Sequence, residues 1–312
     1  MMAPWIGVDI GGTKIAAGLI AADGTVLDRV QLPTPTGEVA IADTAAGLIG
    51  RLSPEARHFS PGRAGAWPGD DRAVVGIAVP GYVSLDHRTV SYAANLELEN
   101  TRLAELIEAR LPVSALVIND ANAALWAEHR FGAARAVQDV AMVTVGTGIG
   151  GGLLVNGKLV SGAHGWAGEI GHMVVDPGGR PCGCGSRGCL DRYASGSVLE
   201  DEARTEEDFA EIAHWLGFGL SQVAMLLDPG LILVGGGVSA AGAALTEPVR
   251  ARLAQLLAEH GRDSTPSVAP AQLGPDAGII GAAAYAADHA GHRPLENFDT
   301  LERTTGSLRG AS

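Results

Sequence analysis

Val140-Ala-Met-Val-Thr-Val145 runs into Gly146-Thr147-Gly148-Ile149-Gly150-Gly151-Gly152, then Leu153–Val155, the pair Asn156-Gly157 and Lys158–Val160. An apolar strand, a glycine loop and a hairpin follow one another, with Asn-Gly supplying the positive φ angles of a tight hairpin turn. The same plan opens the chain. Ile6–Ile10 leads into Gly11-Gly12-Thr13-Lys14, followed by Ile15–Ile20, the turn Asp23-Gly24 and Thr25–Leu32 in rough alternation. The loops begin at residues 11 and 146 and the turns end at residues 24 and 157, so the two spacings nearly agree. One strand–loop–hairpin unit therefore occurs twice, which predicts a duplicated α/β domain with a cleft between the copies. Gly146-x-Gly148-x-x-Gly151 also matches the dinucleotide fingerprint in form. That reading fails, because the fingerprint needs a helix next and this sequence gives a hairpin.

Composition sets the limits around this unit. With 312 residues, 46% hydrophobic and 18% charged, the chain is too apolar for disorder and long enough for two cores. A formal charge of −13 disfavours nucleic acid and anionic membrane, whose phosphates need a cationic footprint. The longest uncharged runs, 140–157 and 229–246, are each broken by a glycine triplet, so neither reads as a membrane span. Met1–Trp5 shows no basic n-region or cleavage site, and a cytoplasmic location is expected. The 44 glycines are about twice the usual share of roughly 7% and cluster at strand ends, which suits phosphate-cradling loops.

Between the two units, residues 36–52 read as an amphipathic helix and Ser53–Asp71, rich in Pro, Gly and Arg, as an inserted surface loop. Ala73–Val79 is a buried strand ending at Pro80-Gly81, Leu103–Arg110 a helix, and Ala115–Ile118 a strand that delivers Asn119-Asp120 to a helix over 121–129. Thr205-Glu-Glu-Asp208 forms a capping box before the helical stripe Phe209, Ile212, Leu216, Leu220, Val223 and Leu227. Leu231–Val234 is a strand feeding Gly235-Gly236-Gly237, and the last twenty or so residues are polar and unpatterned. The expected division is a small domain over 1–119 and a large one over 120–288, with a tail from about 289 to 312 that packs on the first or is disordered.

Several groups carry chemistry. Gly11 and Gly12 let backbone N–H groups approach phosphate oxygens, Thr13 and Lys14 add a hydroxyl and a charge, and Asp9 suits Mg²⁺ held through water. Gly146, Thr147, Gly148 and Gly150 belong to a second such loop facing the first, and Gly235–Gly237 after a buried strand fit either a flat adenosine or a tight turn. Asp120 lies at a strand end, where α/β active sites collect, although an Asp there is also an ordinary helix N-cap. A carboxylate at a helix N-terminus is expected to be a weak base. All three cysteines, Cys182, Cys184 and Cys189, fall in one short knuckle, and His172 completes a Cys₃His set for a structural Zn²⁺ with no open position. Glu169 and Asp191 flank that set and would be carried by the same loop as acceptors for sugar hydroxyls.

Taken together, Asp9–Lys14, Asn119-Asp-Ala-Asn-Ala123, Gly146–Gly152, Gly168-Glu-Ile-Gly-His172, the cysteine knuckle and Asp228-Pro229…Gly235–Gly237 resemble the ROK family of sugar kinases, and within it the bacterial ATP-dependent glucokinases. The resemblance implies an actin-like (ribonuclease H-like) ATPase fold with two domains closing on the sugar. It makes Asp120 the general base, gives Asn119, Asp120, Glu169, His172 and Asp191 to the sugar, lines its pocket with Gly81, and places the structural Zn²⁺ on His172, Cys182, Cys184 and Cys189. It also implies ATP and Mg²⁺, glucose 6-phosphate as product, and in many members a homodimer. Asp191 stands where the family usually has Glu, which favours N-acetylmannosamine, mannose or a carbocyclic analogue as alternative acceptors. Polyphosphate is a second candidate donor. The family's DNA-binding regulators carry a helix-turn-helix before the phosphate motif, which here opens at Asp9, so a sugar-sensing regulator is the distant alternative.

Overall fold

The computed structural model describes residues 4–53, 73–198, 206–237 and 241–289, the side chain of Glu206 excepted. The first half contains β1 (Trp5–Ile10), β2 (Lys14–Ile20), β3 (Val26–Pro33), α1 (Glu38–Leu52), β4 (Ala73–Val79), β5 (Tyr82–Val83), β6 (Val90–Ala93), β7 (Leu98–Thr101), α2 (Leu103–Glu108), β8 (Val113–Asn119) and α3 (Asp120–Phe131). The second contains β9 (Val140–Val145), β10 (Ile149–Val155), β11 (Lys158–Leu159), α4 (Asp191–Ala194), α5 (Glu206–Leu227), β12 (Leu231–Gly235), α6 (Ala243–Glu259), β13 (Ser267–Pro270) and α7 (Ala277–His289). The inserted loop beyond Ser53, Thr205 of the capping box and the tail beyond residue 289 lie outside the described residues.

The duplication is visible in the topology. The first sheet has the order β3-β2-β1-β4-β8 and the second β11-β10-β9-β12-β13. In each, an antiparallel hairpin meander leads to strands paired in parallel: β1 with β4 and β4 with β8, then β9 with β12 and β12 with β13. The second glycine loop is shorter than its sequence suggested. β10 begins at Ile149, so Gly150, Gly151 and Gly152 are strand residues, and only 146–148 turn. Their missing side chains have a packing reason: a Cβ on Gly151 would stand 2.2 Å from the Gly168 carbonyl oxygen, and one on Gly152 3.2 Å from that of Ala121.

Each sheet buries its outer face separately. Ile41, Leu48 and Ile49 of α1 and Leu103 and Ile107 of α2 cover the first, while Leu216 and Leu220 of α5 and Leu253 and Leu257 of α6 cover the second. The inner faces share α3 and α7. Ala16 and Ile20 of the first sheet, Val140 and Met142 of the second, Leu125 of α3 and Ile279 and Ile280 of α7 form one cluster.

The chain thus returns to the first sheet at α7, which packs against β1 and β4. Its fit explains the small residues beneath it. Gly7 and Gly76 are register partners on β1 and β4; a Cβ on them would stand 1.9 Å from the Ile279 carbonyl oxygen and 1.8 Å from that of Ala282. No side chain yields enough to admit a methyl against backbone at that distance. Gly76→Ala is therefore expected to cost about 3 kcal/mol or more, read as a lowered denaturation midpoint. Glu128, fully buried on α3, accepts hydrogen bonds from the N–H groups of Ala133, Gln272 and Leu273 and so ties α3 to the segment entering α7.

Candidate active site

A cleft of about 670 Å³ opens between the halves. It is lined by Gly81, Asn119 and Asp120 from the first half and by Gly146–Gly151, Glu169, His172, Cys182, Cys184, Asp191 and Gly236 from the second. These residues are far apart in sequence and meet because both sheets end here. Asp9, Gly11, Gly12, Thr13, Lys14, Gly235 and Gly237 stand outside the lining.

Asn119 and Asp120 share one local cause. β8 ends where α3 begins, and Asn119, not Asp120, is the N-cap: its Oδ1 accepts the Asn122 N–H at 3.0 Å. Its Nδ2 donates to the Gly81 carbonyl at 3.0 Å. Gly81 has φ 87°, and a Cβ there would stand 2.1 Å from the Tyr92 carbonyl oxygen, so only glycine fits. Asp120 is left as the first helical residue, with Oδ1 accepting its neighbour's Ala121 N–H at 2.8 Å.

The expected weak basicity at this position is reversed. Burial, then the charge of Asp9, raise the Asp120 pKa to about 7, outweighing the lowering by the Ala121 N–H; the charge of Glu169 adds to the rise. Asp9 itself is raised to about 6 by burial, against the pull of Lys14 and Arg29. A divalent cation beside Asp9 suits this pair, since its charge would favour the ionised form of both carboxylates against burial.

The glycine turns are partly self-satisfied. Gly11 N–H donates to the Lys14 carbonyl at 3.0 Å, and Gly146 N–H to that of Gly148 at 2.9 Å. Gly12 lies against Asn95, a cleft residue, which brings the first loop to the rim. Of the Gly235–Gly237 triplet only Gly236 reaches the cleft. Gly235 is a packing glycine, its Cβ position 2.6 Å from Met142 Cε.

Asp191 is already engaged within the protein. Its Oδ1 accepts the Ile149 N–H at 2.7 Å, and a Cβ on Gly148 would stand 2.9 Å from the same oxygen. One carboxylate oxygen is thus spent on the second glycine loop, and only the other remains for a ligand.

The Cys₃His set assembles. One ligand atom each from His172, Cys182, Cys184 and Cys189 lies within 4.8 Å of the others. Cys182 Sγ is 3.8 Å from His172 Nδ1 and Cys184 Sγ is 3.7 Å from Cys189 Sγ. Tetrahedral Zn²⁺ with bonds of about 2.1–2.3 Å sets its ligand atoms about 3.6–3.8 Å apart, so the residues fit this ion. His172 Nδ1 belongs to the cluster, and Nε2 lies 3.9 Å from Glu169 Oε2 on the cleft side. Burial raises the Glu169 pKa, with His172 opposing. Beneath the knuckle, Tyr193 OH donates to Asp176 Oδ2 at 2.6 Å and accepts the Arg180 N–H at 2.7 Å, bracing its root.

Reading the sequence missed Tyr82, Tyr92, Asn95 and Arg192, all of which line the cleft. The first three come from β5, β6 and the 3₁₀ turn 94–96, elements too short to give a period. Arg192, next to Asp191 on α4, is the one lysine or arginine among the described lining residues, and its Nε is buried with no hydrogen-bond partner.

The ROK family model matches residues 5–215 and 201–289. The chain belongs to the ROK family. It is 35% identical to a glucokinase of Streptomyces coelicolor over 317 aligned positions, covering 89% of this chain and 96% of that protein. It is 33% identical to an N-acetylmannosamine kinase of Shigella boydii, covering 90% and 97%. The crystal structure of a ROK family glucokinase from Streptomyces griseus in complex with glucose and AMPPNP superimposes with a TM-score of 0.79 at 34% identity, covering 92% and 100%. This ROK protein is a sugar kinase with the two-domain actin-like ATPase fold. Among its described residues no helix is long and apolar enough to cross a membrane.

Proposed function

We propose that this sugar kinase transfers the γ-phosphoryl group of ATP to the 6-hydroxyl of glucose. The observation that carries the reading is Asp120: a desolvated carboxylate at the cleft, tuned to about 7, on the side where Asn119, Glu169 and His172 offer sugar contacts. With Oδ1 engaged by Ala121, Oδ2 is the oxygen that takes the hydroxyl proton as the sugar oxygen attacks. Asn119 holds Gly81 in place, and the His172 Nε2–H and Glu169 orient the ring. A structural Zn²⁺ on His172, Cys182, Cys184 and Cys189 would fix the loop from Glu169 to Asp191. Mg²⁺, held by Asp9 through water, would neutralise phosphate charge, and the loops at 11–14 and 146–150 take the phosphates. A closed cleft excludes water and limits ATP hydrolysis.

The glucokinase of Streptomyces coelicolor and the glucose and AMPPNP complex support glucose and ATP. A second reading, an N-acetylmannosamine or mannose kinase, draws on Asp191: a shorter carboxylate with one oxygen spent on Ile149 leaves room at the sugar's far edge. A panel of glucose, mannose and N-acetylmannosamine in an ADP-release assay tests the choice, and a preference for either of the last two overturns glucose. A homodimer and a cytoplasmic location remain part of the proposal.

Arg192 belongs to the phosphate side. A triphosphate needs cationic partners in a cleft whose other charged lining groups, Asp120, Glu169 and Asp191, are acidic. Arg192→Ala is expected to raise the KM for ATP about tenfold or more, while sugar affinity measured without nucleotide stays within about twofold. A change confined to sugar affinity would place this arginine on the wrong ligand.

A further inference from the structure

The cleft continues outward into a run of aromatic rings that the chemistry above does not use. Tyr82 and Tyr92, from the small sheet β5-β6-β7, line the cleft, with ring centroids 6.5 Å apart. Tyr82 lies 5.2 Å from the ring of Trp166, and Trp166 5.8 Å from that of His164, both in the loop after β11. The run therefore crosses from the first half to the second. Its placement is built: a Cβ on Gly165 would stand 2.1 Å from the Val83 carbonyl oxygen, so the loop sits directly on β5. Outward, the rings are bare, with Trp166 56% and Tyr92 49% exposed. Inward, Tyr82 is close enough to the sugar end that Glu169, after burial, helps raise its pKa.

Large exposed aromatics at the mouth of a polar cleft call for a ligand with flat C–H faces, which stack on such rings while their hydroxyls stay in water. A hexose whose hydroxymethyl group meets Asp120 turns its C1–C2 edge away from that residue. A substituent on that edge, leaving beside Glu169, would pass over Tyr82, which lines the cleft near that carboxylate. An acetamido group would cover one ring only, whereas the run offers three or four, enough for a whole further ring. We propose that Tyr92, Tyr82 and Trp166 form an outer subsite for a second ring, a sugar or an aryl group on the anomeric oxygen, so that the enzyme phosphorylates hexosides as well as the free hexose. This rests on the sugar-kinase reading of the cleft and adds an acceptor class to it.

The test uses the whole enzyme and Trp166, which is half exposed and stands outside the lining of the cleft that holds the groups assigned to glucose and ATP. Turnover is measured with glucose, methyl glucoside, cellobiose, maltose and phenyl glucoside, in wild type, Trp166→Ala and Trp166→Phe. Ring-bearing glucosides should have a KM about tenfold below that of methyl glucoside, the usual scale of one aromatic stacking contact. Trp166→Ala should abolish that gain and leave glucose within about twofold, and Trp166→Phe should restore much of it. Cellobiose and maltose against phenyl glucoside separate a sugar from an aryl ring. Binding is read independently from Trp166 fluorescence, as wild type minus Trp166→Phe, so the subsite is judged even if glucose itself fails as acceptor. Glucose turnover with no advantage for any ring-bearing glucoside overturns the subsite and leaves the kinase intact. So does equal damage by Trp166→Ala to glucose and glucosides.

Discussion

Asp120→Asn should lower kcat by at least about 10², the usual scale for loss of a general base, while glucose still binds with near wild-type affinity. The amide keeps the shape and the Ala121 contact but accepts no proton. Two further consequences follow from the pKa of about 7. In wild type, kcat/KM should fall as pH drops through neutrality, because the base must be ionised, and the variant should lose this limb. Stability moves the other way. The folded state holds the proton up to about 7 and the unfolded chain only to the ordinary value of 3.8, so ionising Asp120 costs stability as pH rises between them. At pH 8 the neutral Asn variant should therefore melt higher than wild type, by roughly a few degrees. A catalytic loss with no gain in melting temperature would mean that Asp120 is not desolvated as described.

Removing the metal should be the second large effect. The protein purified without added metal should contain one Zn²⁺ per chain by elemental analysis, and Cys184→Ser should lose it. Cys184 is exposed, so the fold should survive its replacement. What it loses is the ring orientation of His172, whose Nδ1 sits in the cluster and whose Nε2 faces Glu169. Sugar affinity should drop ten- to a hundredfold, the range for outer contacts that orient a site, with nucleotide affinity little changed. Unchanged sugar affinity in metal-free protein would make the knuckle incidental to the cleft.

What the sequence disclosed follows from where its signals lie. The strand–loop–hairpin unit is legible twice, since Asp23-Gly24 and Asn156-Gly157 mark turns between periodic runs. α7 escaped because it has little polar face to betray it: Ile279–Ala286 are buried on all sides between two sheets, so no helical stripe forms. β5 to β7 escaped because strands of two to four residues carry no period. The knuckle was legible from spacing alone, as three cysteines and a histidine have few other reasons to gather. The basicity of Asp120 was not, because it depends on burial and on Asp9, which only folding brings near. Nor was the bond from Ile149 N–H to Asp191, which joins the start of β10, beside the second glycine turn, to the start of α4.

That junction is the core of the account: one cleft in which a sugar hydroxyl, a neutral-pH carboxylate and a triphosphate meet. The most direct measurement is ³¹P NMR of the product formed by wild-type enzyme from glucose, ATP and Mg²⁺. The account predicts one phosphomonoester at the 6-hydroxyl, formed in step with ADP and absent with Asp120→Asn. An ester at the anomeric oxygen, or ADP released with no sugar phosphate, would contradict it.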